Sequence, residues 1–297
     1  MACACVFILC LASTRVSAQQ LEPRAFAPNP VDARFAIATW AHTEGEVFLS
    51  QSIPIEDFRI VADSLLAGFG GTFALGSRLA SLAVIAPFTN GVASGRLDGV
   101  KDEVQRSGMG DMVFRFTVSL LPDSALSIAE FRKRPPDRTL GASVTVIAPT
   151  GEYYDDKLIN LSTNRWAIRP EIGGSRQFGR WEVDGSAGVW FFTDNNDFLE
   201  TSERSQEPIG AVQGHLSYTF APRLWLGGSV TWYTGGRTLI NGESRQDTQN
   251  NTRAGLTLAL PIGQQHSVKL GWSTGVSVRF GGAFDLYLLS WQYLWFR

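Results

Sequence analysis

Polar and apolar positions alternate along most of this chain, in stretches of about 9 to 13 residues closed by Gly, Asn, Asp or Pro. Over residues 165–173, Arg165, Ala167, Arg169 and Glu171 share one face, while Trp166, Ile168, Pro170 and Ile172 share the other. A helix would mix these two sets; a strand, with side chains at period 2, separates them. The split recurs where Val212, Leu216, Tyr218 and Phe220 oppose Gln213, His215, Ser217 and Thr219. It recurs again where Leu226, Val230 and Trp232 oppose Ser229 and Thr231, and where Val268, Leu270 and Trp272 oppose Lys269 and Ser273. Met112, Phe114, Phe116 and Val118 likewise oppose Arg115, Thr117 and Ser119.

The pattern predicts about twelve strands (range about 10–14). They fall near residues 33–42, 57–68, 71–87, 111–121, 140–149, 163–177, 180–193, 208–220, 222–235, 251–261, 265–277 and 284–296. Tight connections at 221–222 and 263–264 contrast with long polar ones at 194–207 and 236–250. Short turns on one side and long loops on the other are the layout of bacterial outer-membrane barrels. A sheet exposed to hydrocarbon must close, because every backbone N–H and C=O there needs a partner within the protein. The rival is a soluble all-β sandwich, which also alternates but buries its aromatic residues in mid-strand. Residues 125–133 depart from the strand pattern and read as a short helix in a loop, capping the structure or lining a pore.

The two ends sharpen the choice. Trp291, Tyr293 and Trp295 share one face of the last strand, and amphipathic rings of this kind settle at bilayer headgroups. Residues 4–12 are apolar, and Val16-Ser17-Ala18 fits small-residue cleavage before Gln19, although a positive leading region is missing. An export signal over 1–18 and a single barrel domain over 19–297 are expected. No composition shift marks a linker or a plug.

Composition removes other classes. Hydrophobic residues make up 44% of the chain, yet no uninterrupted apolar run of about 20 residues follows the leader, so helical membrane spans are not expected. Thirty Gly, 19 Phe and 9 Trp suit short strands, tight turns and aromatic girdles. A net charge of −2 without a basic stripe gives no reason to expect nucleic acid. Cys3, Cys5 and Cys10 all precede the cleavage point, so neither disulfides nor thiolate chemistry is expected beyond it.

Three stretches carry a resemblance. Residues 149–155 (PTGEYYD) run through Asn160 into Thr163-Asn164-Arg165-Trp166; residues 189–195 (VWFFTDN) precede Asp197-Phe198; and Gly235-Gly236-Arg237-Thr238 precedes Asn241-Gly242 and Asn250-Asn251. Together with the closing Trp291-Gln292-Tyr293, this set resembles outer-membrane transporters associated with the meta-cleavage pathway of phenol degradation. The resemblance implies a β-barrel that passes aromatic compounds, with outer-membrane lipids, a small-molecule solute and the barrel-assembly machinery as partners. Each motif also has a plain reading: Pro149 and Gly151 end a strand and turn, and Gly235-Gly236 needs no more than a turn. The acids at 155–156 and 194–197 lack the spacing of a calcium loop. Neither a metal nor a cofactor is expected.

The polar faces should point into the barrel, carrying Arg115, Arg165, Arg169, Glu171, Glu182, Asp184, Arg253 and Lys269. Such charges either pair into a ladder that fills the lumen or frame a constriction that selects solutes. Trp190, Phe192, Trp225 and Tyr233 lie in the same phase. Beside arginines they would hold an aromatic cargo through stacking and cation–π contacts; otherwise they pack together or join the interfacial girdle. The expected function is a passive outer-membrane channel for small solutes, phenol-like ones among them, and not an enzyme. A plugged structural or binding barrel is the alternative. A hydrolase using His215 and Ser217, two apart on one strand, is a further one.

Overall fold

The computed structural model describes residues 21–48, 55–97, 100–133 and 137–296. The expected export signal over 1–18 lies outside the described residues. The first part of the chain forms β1 (Ala33–Phe48), β2 (Ile55–Leu75), β3 (Arg78–Leu97), β4 (Val100–Met109), β5 (Met112–Ser119), helix α1 (Ile128–Lys133), β6 (Arg138–Ala148), β7 (Ala167–Phe178) and β8 (Trp181–Phe192). Then follow β9 (Asn195–Phe198), β10 (Ser202–Gln206), β11 (Ile209–Ala221), β12 (Leu224–Gly235), β13 (Thr238–Ile240), β14 (Glu243–Ser244), β15 (Gln249–Ile262), β16 (His266–Ser277) and β17 (Gly281–Phe296).

Every pairing in the main sheet is antiparallel, and the sheet closes because β1 pairs with both β2 and β17, from Ala33 opposite Phe296 to Phe48 opposite Gly281. β4 and β5 are two halves of one stave, since both pair with β3, through Phe88 opposite Met109 and Ile85 opposite Val113. Between the halves, Gly110 N donates to Pro87 O at 2.9 Å. The result is a closed barrel of twelve antiparallel staves. A second sheet, β14-β13-β10-β9, is built from the two long loops after β8 and β12.

Tight turns at 76–77, 179–180, 222–223 and 263–265 gather at one end, where Gly76, Gly179, Arg223 and Gly263 have positive φ. By outer-membrane convention this end is periplasmic and the long loops are extracellular. The exception at the periplasmic end is the connection from β5 to β6, which carries α1. Ser127 Oγ accepts from Glu130 N at 3.3 Å and Glu130 Oε2 accepts from Ser127 N at 2.8 Å, a capping box that stops the helix from fraying. The Ser127 hydroxyl bonded to Glu130 holds that carboxyl below its ordinary range.

Strand faces divide as the alternation requires. Trp166, Ile168 and Ile172 point outward, as do Val212, Leu216, Val230, Trp232, Leu256 and Trp272. Arg165, Arg169, Glu171, Gln213, Ser217, Thr231 and Arg253 are buried inside, Arg169 at 2% exposure. A soluble sandwich would invert this division; only a lipid solvent makes the apolar exterior favourable. Trp291, Tyr293 and Trp295 stack along the outer face of β17 near its periplasmic end, with centroid spacings of 6.4 and 5.1 Å.

Several boundaries differ from expectation. The β2–β3 turn sits at 76–77, not between 68 and 71, so the Gly68-Phe69-Gly70-Gly71 run lies inside β2. A Cβ on Gly70 would strike the Phe35 ring across the strand pair, so this glycine makes room rather than turning the chain. β2 and β3, with 21 and 20 residues, would run about 65–70 Å fully extended, far beyond a lipid band about 25 Å tall. Their upper halves, with β4, rise above the membrane.

Candidate lumen site

Residues 21–32 fold back from the start of β1 into the barrel. Local turns compact the segment: Ala25 N donates to Glu22 O and Ala27 N to Arg24 O, with Arg24 at φ 61. Phe26 is buried against Gly141 and Gly173, a Cβ on Gly173 would collide with its ring, and Thr139 Oγ1 donates to its carbonyl at 2.6 Å. Thr72 Oγ1 donates to Pro30 O at 2.7 Å, tying the segment to the periplasmic rim.

Two charged side chains fasten it to the wall. The Glu22 carboxylate bridges two strands: Oε2 pairs with Arg115 on β5, and Oε1 takes Arg169 Nη2 on β7 at 3.3 Å. Glu171 completes this cluster, 3.0 Å from Arg115 and 3.7 Å from Arg169, with Ser186 Oγ donating to its other oxygen at 2.8 Å. Lower in the barrel, Arg24 Nε lies 3.3 Å from Glu182 Oε2, and its backbone N donates to Asp184 Oδ1 at 3.2 Å. Its guanidinium also donates to Ser217 and Thr219 and lies over the Trp225 ring at 4.5 Å. Lys269 Nζ is 6.0 Å from the same ring.

Above the Glu22 cluster, toward the extracellular end, lies a cavity of about 310 Å³. Its walls include Leu66, Ile85, Val113 and Ile147, and also Arg115, Arg165, Arg169, Trp190 and Phe192, with Glu22 among its lining residues. Trp190 and Phe192 stack at 6.5 Å with 12° between their planes. Arg169 stands over Trp190 at 5.0 Å and Arg165 over Phe192 at 4.5 Å. The alternation of β8 puts both rings on one inward face, β7 presents Arg169 alongside, and Arg165 lies two residues before β7 begins.

The sequence-predicted residues therefore separate into groups. Arg115, Arg165, Arg169, Trp190 and Phe192 meet at the cavity, with Glu171 behind them. Glu182, Asp184, Trp225 and Lys269 gather around Arg24. Arg253 instead bonds Ser273 Oγ at 3.1 Å and Phe284 O at 2.8 Å, and Tyr233 packs with Ile209, Ala211 and Trp190. His215 and Ser217 face inward but do not engage each other: His215 Nδ1 meets Ser229 Oγ at 2.7 Å, while Ser217 Oγ accepts from Arg24. The nucleophile–base geometry of the hydrolase alternative is not formed.

The motif residues hold the extracellular cap together. Asp111, at the β4–β5 junction, accepts from Gly151 N at 3.1 Å and from Thr163 N at 3.0 Å, clasping both ends of the loop after β6. Asn160 bonds Tyr154 N and O within that loop. Asn195 links it to the loop after β8 through Asn164 and Tyr153, and Asp247 takes Thr238 N and Oγ1. Of the acids and amides at 194–197, Asn195 and Asp197 serve this lacing, Asp197 by taking Asn164 Nδ2 at 3.2 Å. Glu22 and Arg24 were missed from sequence because the segment lacks strand alternation; the charges at 22 and 24 beside Phe26 were the available signal.

A closed twelve-stranded barrel with an apolar belt, aromatic girdle and charged interior is an outer-membrane β-barrel. The chain belongs to the family described as "Putative MetA-pathway of phenol degradation", whose model matches residues 53–287. An outer membrane channel from Pseudomonas putida F1 is similar in structure, at 21% identity over 93% of this chain and 100% of that one, with a TM-score of 0.79. The translocator domain of autotransporter NalP from Neisseria meningitidis matches at 10% identity over 89% of each chain, with a TM-score of 0.54. The β domain of the Bordetella autotransporter BrkA matches at 10% identity over 89% of this chain and 100% of that one, with a TM-score of 0.51. At these identities the likeness is one of fold. No curated protein matches the chain.

Proposed function

We propose that this protein is a passive outer-membrane channel for small solutes, phenol-like aromatics among them, and not an enzyme. The observation that carries the reading is the lumen cavity itself: apolar walls, two parallel rings and two arginines over them, inside a lipid-embedded barrel. A neutral aromatic gains burial against the walls and stacking on Trp190 or Phe192, and the arginines add cation–π attraction and hydrogen bonds to a hydroxyl. Arg115, Arg165, Arg169 and Glu171 would frame its path, with Glu182, Asp184, Lys269 and Trp225 lower in the lumen. The family's description, linked to phenol degradation, supports the same cargo class.

In this reading residues 1–18 are a cleaved export signal, residues 19–297 form one barrel domain, and the barrel-assembly machinery inserts it. The test is phenol flux into liposomes carrying the refolded protein. Entry above protein-free vesicles is expected, and a rate equal to theirs overturns the channel.

A second reading, a plugged binding barrel, is favoured by the ion pairs that residues 22 and 24 make in the lumen. The two readings differ in whether the segment leaves. Phenol bound by the protein but never delivered to the vesicle interior would select the plugged barrel.

A further inference from the structure

The occupant of the arginine pair at the cavity is a carboxylate supplied by the chain itself. Glu22 bridges Arg115 and Arg169 in the way two guanidinium groups hold a carboxylic acid ligand. It lines the same cavity as Trp190 and Phe192, so an acid group in its place would have an aromatic body's space directly beside it. Charge points the same way. The cavity walls carry Arg115, Arg165 and Arg169 against Glu22 and Asp111, and Glu171 sits directly behind. Asp111 already accepts three hydrogen bonds from Gly151 and Thr163. With Glu22 present, three cations face three anions; withdrawing it leaves one positive charge to compensate.

We propose that the cavity takes an aromatic monocarboxylate, whose carboxylate displaces Glu22 from Arg115 and Arg169 and so releases the N-terminal segment from the lumen. The proposal rests on the channel reading and deepens it: Glu22 is a tethered competitor for the cargo's own binding groups. A tethered competitor lowers apparent affinity by the fraction of time the site is vacant. Cargo binding and segment release are then one equilibrium, and an anionic aromatic opens its own passage. A neutral aromatic of the same size brings no charge to compete for Arg115 and Arg169, so it passes only when the segment leaves unaided.

The test uses the full chain refolded in detergent and titrated with benzoate and with benzyl alcohol at neutral pH. Glu22→Gln removes the competing charge, so benzoate should bind about tenfold tighter than to the unaltered protein, while benzyl alcohol binds both alike. Unchanged benzoate affinity in a folded, heat-modifiable Glu22→Gln barrel overturns the proposal, as does an equal gain for benzyl alcohol. Should that variant not fold, the unaltered protein in planar bilayers decides. Sodium benzoate should raise conductance severalfold over sodium chloride at matched ionic strength, with benzyl alcohol inert; no rise overturns the proposal. Phenol flux separates the two levels. Phenol delivery without a benzoate effect rejects the carboxylate proposal alone, whereas absence of any aromatic flux rejects the channel.

Discussion

The guanidinium carbon of Arg24 lies 4.5 Å from the centroid of the Trp225 ring, pinning a non-strand segment to the barrel wall. The same side chain reaches Glu182, Ser217 and Thr219, so one residue satisfies polar groups on β8 and β11 at once. These contacts exist only while the segment sits in the lumen, which makes Arg24 a weight on the closed side of any opening equilibrium.

Arg24→Ala removes that weight. Each charged hydrogen bond lost is worth about 1.5–3 kcal/mol, and all of it is lost from the plugged state. A severalfold rise in single-channel conductance or open probability in planar bilayers is expected. Conductance identical to the unaltered protein would show that the segment does not limit passage.

Gly173→Val tests the same segment without touching charge. The added side chain occupies the space of the Phe26 ring, so the segment can remain only by shifting. The variant should gain conductance as Arg24→Ala does, and trypsin should cut after Arg24 in the folded barrel. A segment as protected as before would count against steric seating by Phe26.

Trp190→Ala addresses selectivity. Removing one stacking platform should lower phenol flux about 3- to 10-fold, in line with the ~0.5–1.5 kcal/mol that aromatic pairs contribute beyond area. Glycerol flux should hold or rise, because the passage widens. Equal losses for both solutes would indicate collapse of the lumen instead.

Asp111→Ala tests the clasp over the cavity. Three hydrogen bonds to Gly151 and Thr163 disappear, about 1 kcal/mol each, all from the loop and none from the barrel ladder. Limited proteolysis should cut within residues 149–166 while heat-modifiability on gels stays normal.

Val230→Arg places a charge on the lipid face near the middle of β12, where Val230 is 52% exposed. A cost of about 2–4 kcal/mol in refolding equilibria in liposomes is expected. The same substitution in a water-facing loop would cost little, so a neutral result would contradict the membrane placement.

Much of the barrel was legible because lipid and lumen impose opposite demands on successive residues. Arg165 through Ile172 display that rule in eight positions, and each one lies on the side its chemistry requires. Rings obeyed it too: Trp190 and Phe192 share the inward phase with charged neighbours. β4 was not legible, since its polar sequence rises clear of the hydrocarbon and carries no lipid-facing partner set. Nor were the small strands β9, β10, β13 and β14, whose pairing is made by loop-to-loop contacts distant in sequence.

The primary structure by itself determined the period, the sidedness and the number of staves, because those depend on each residue's preference for hydrocarbon or water. Only the tertiary structure decided what fills the lumen. Glu22 finds Arg115 and Arg169 across 93 and 147 residues of chain, and Arg24 finds Ser217 across 193. Local pattern carries no trace of such pairings, since they arise when a closed barrel brings remote charges into one dry interior and each must find an opposite partner.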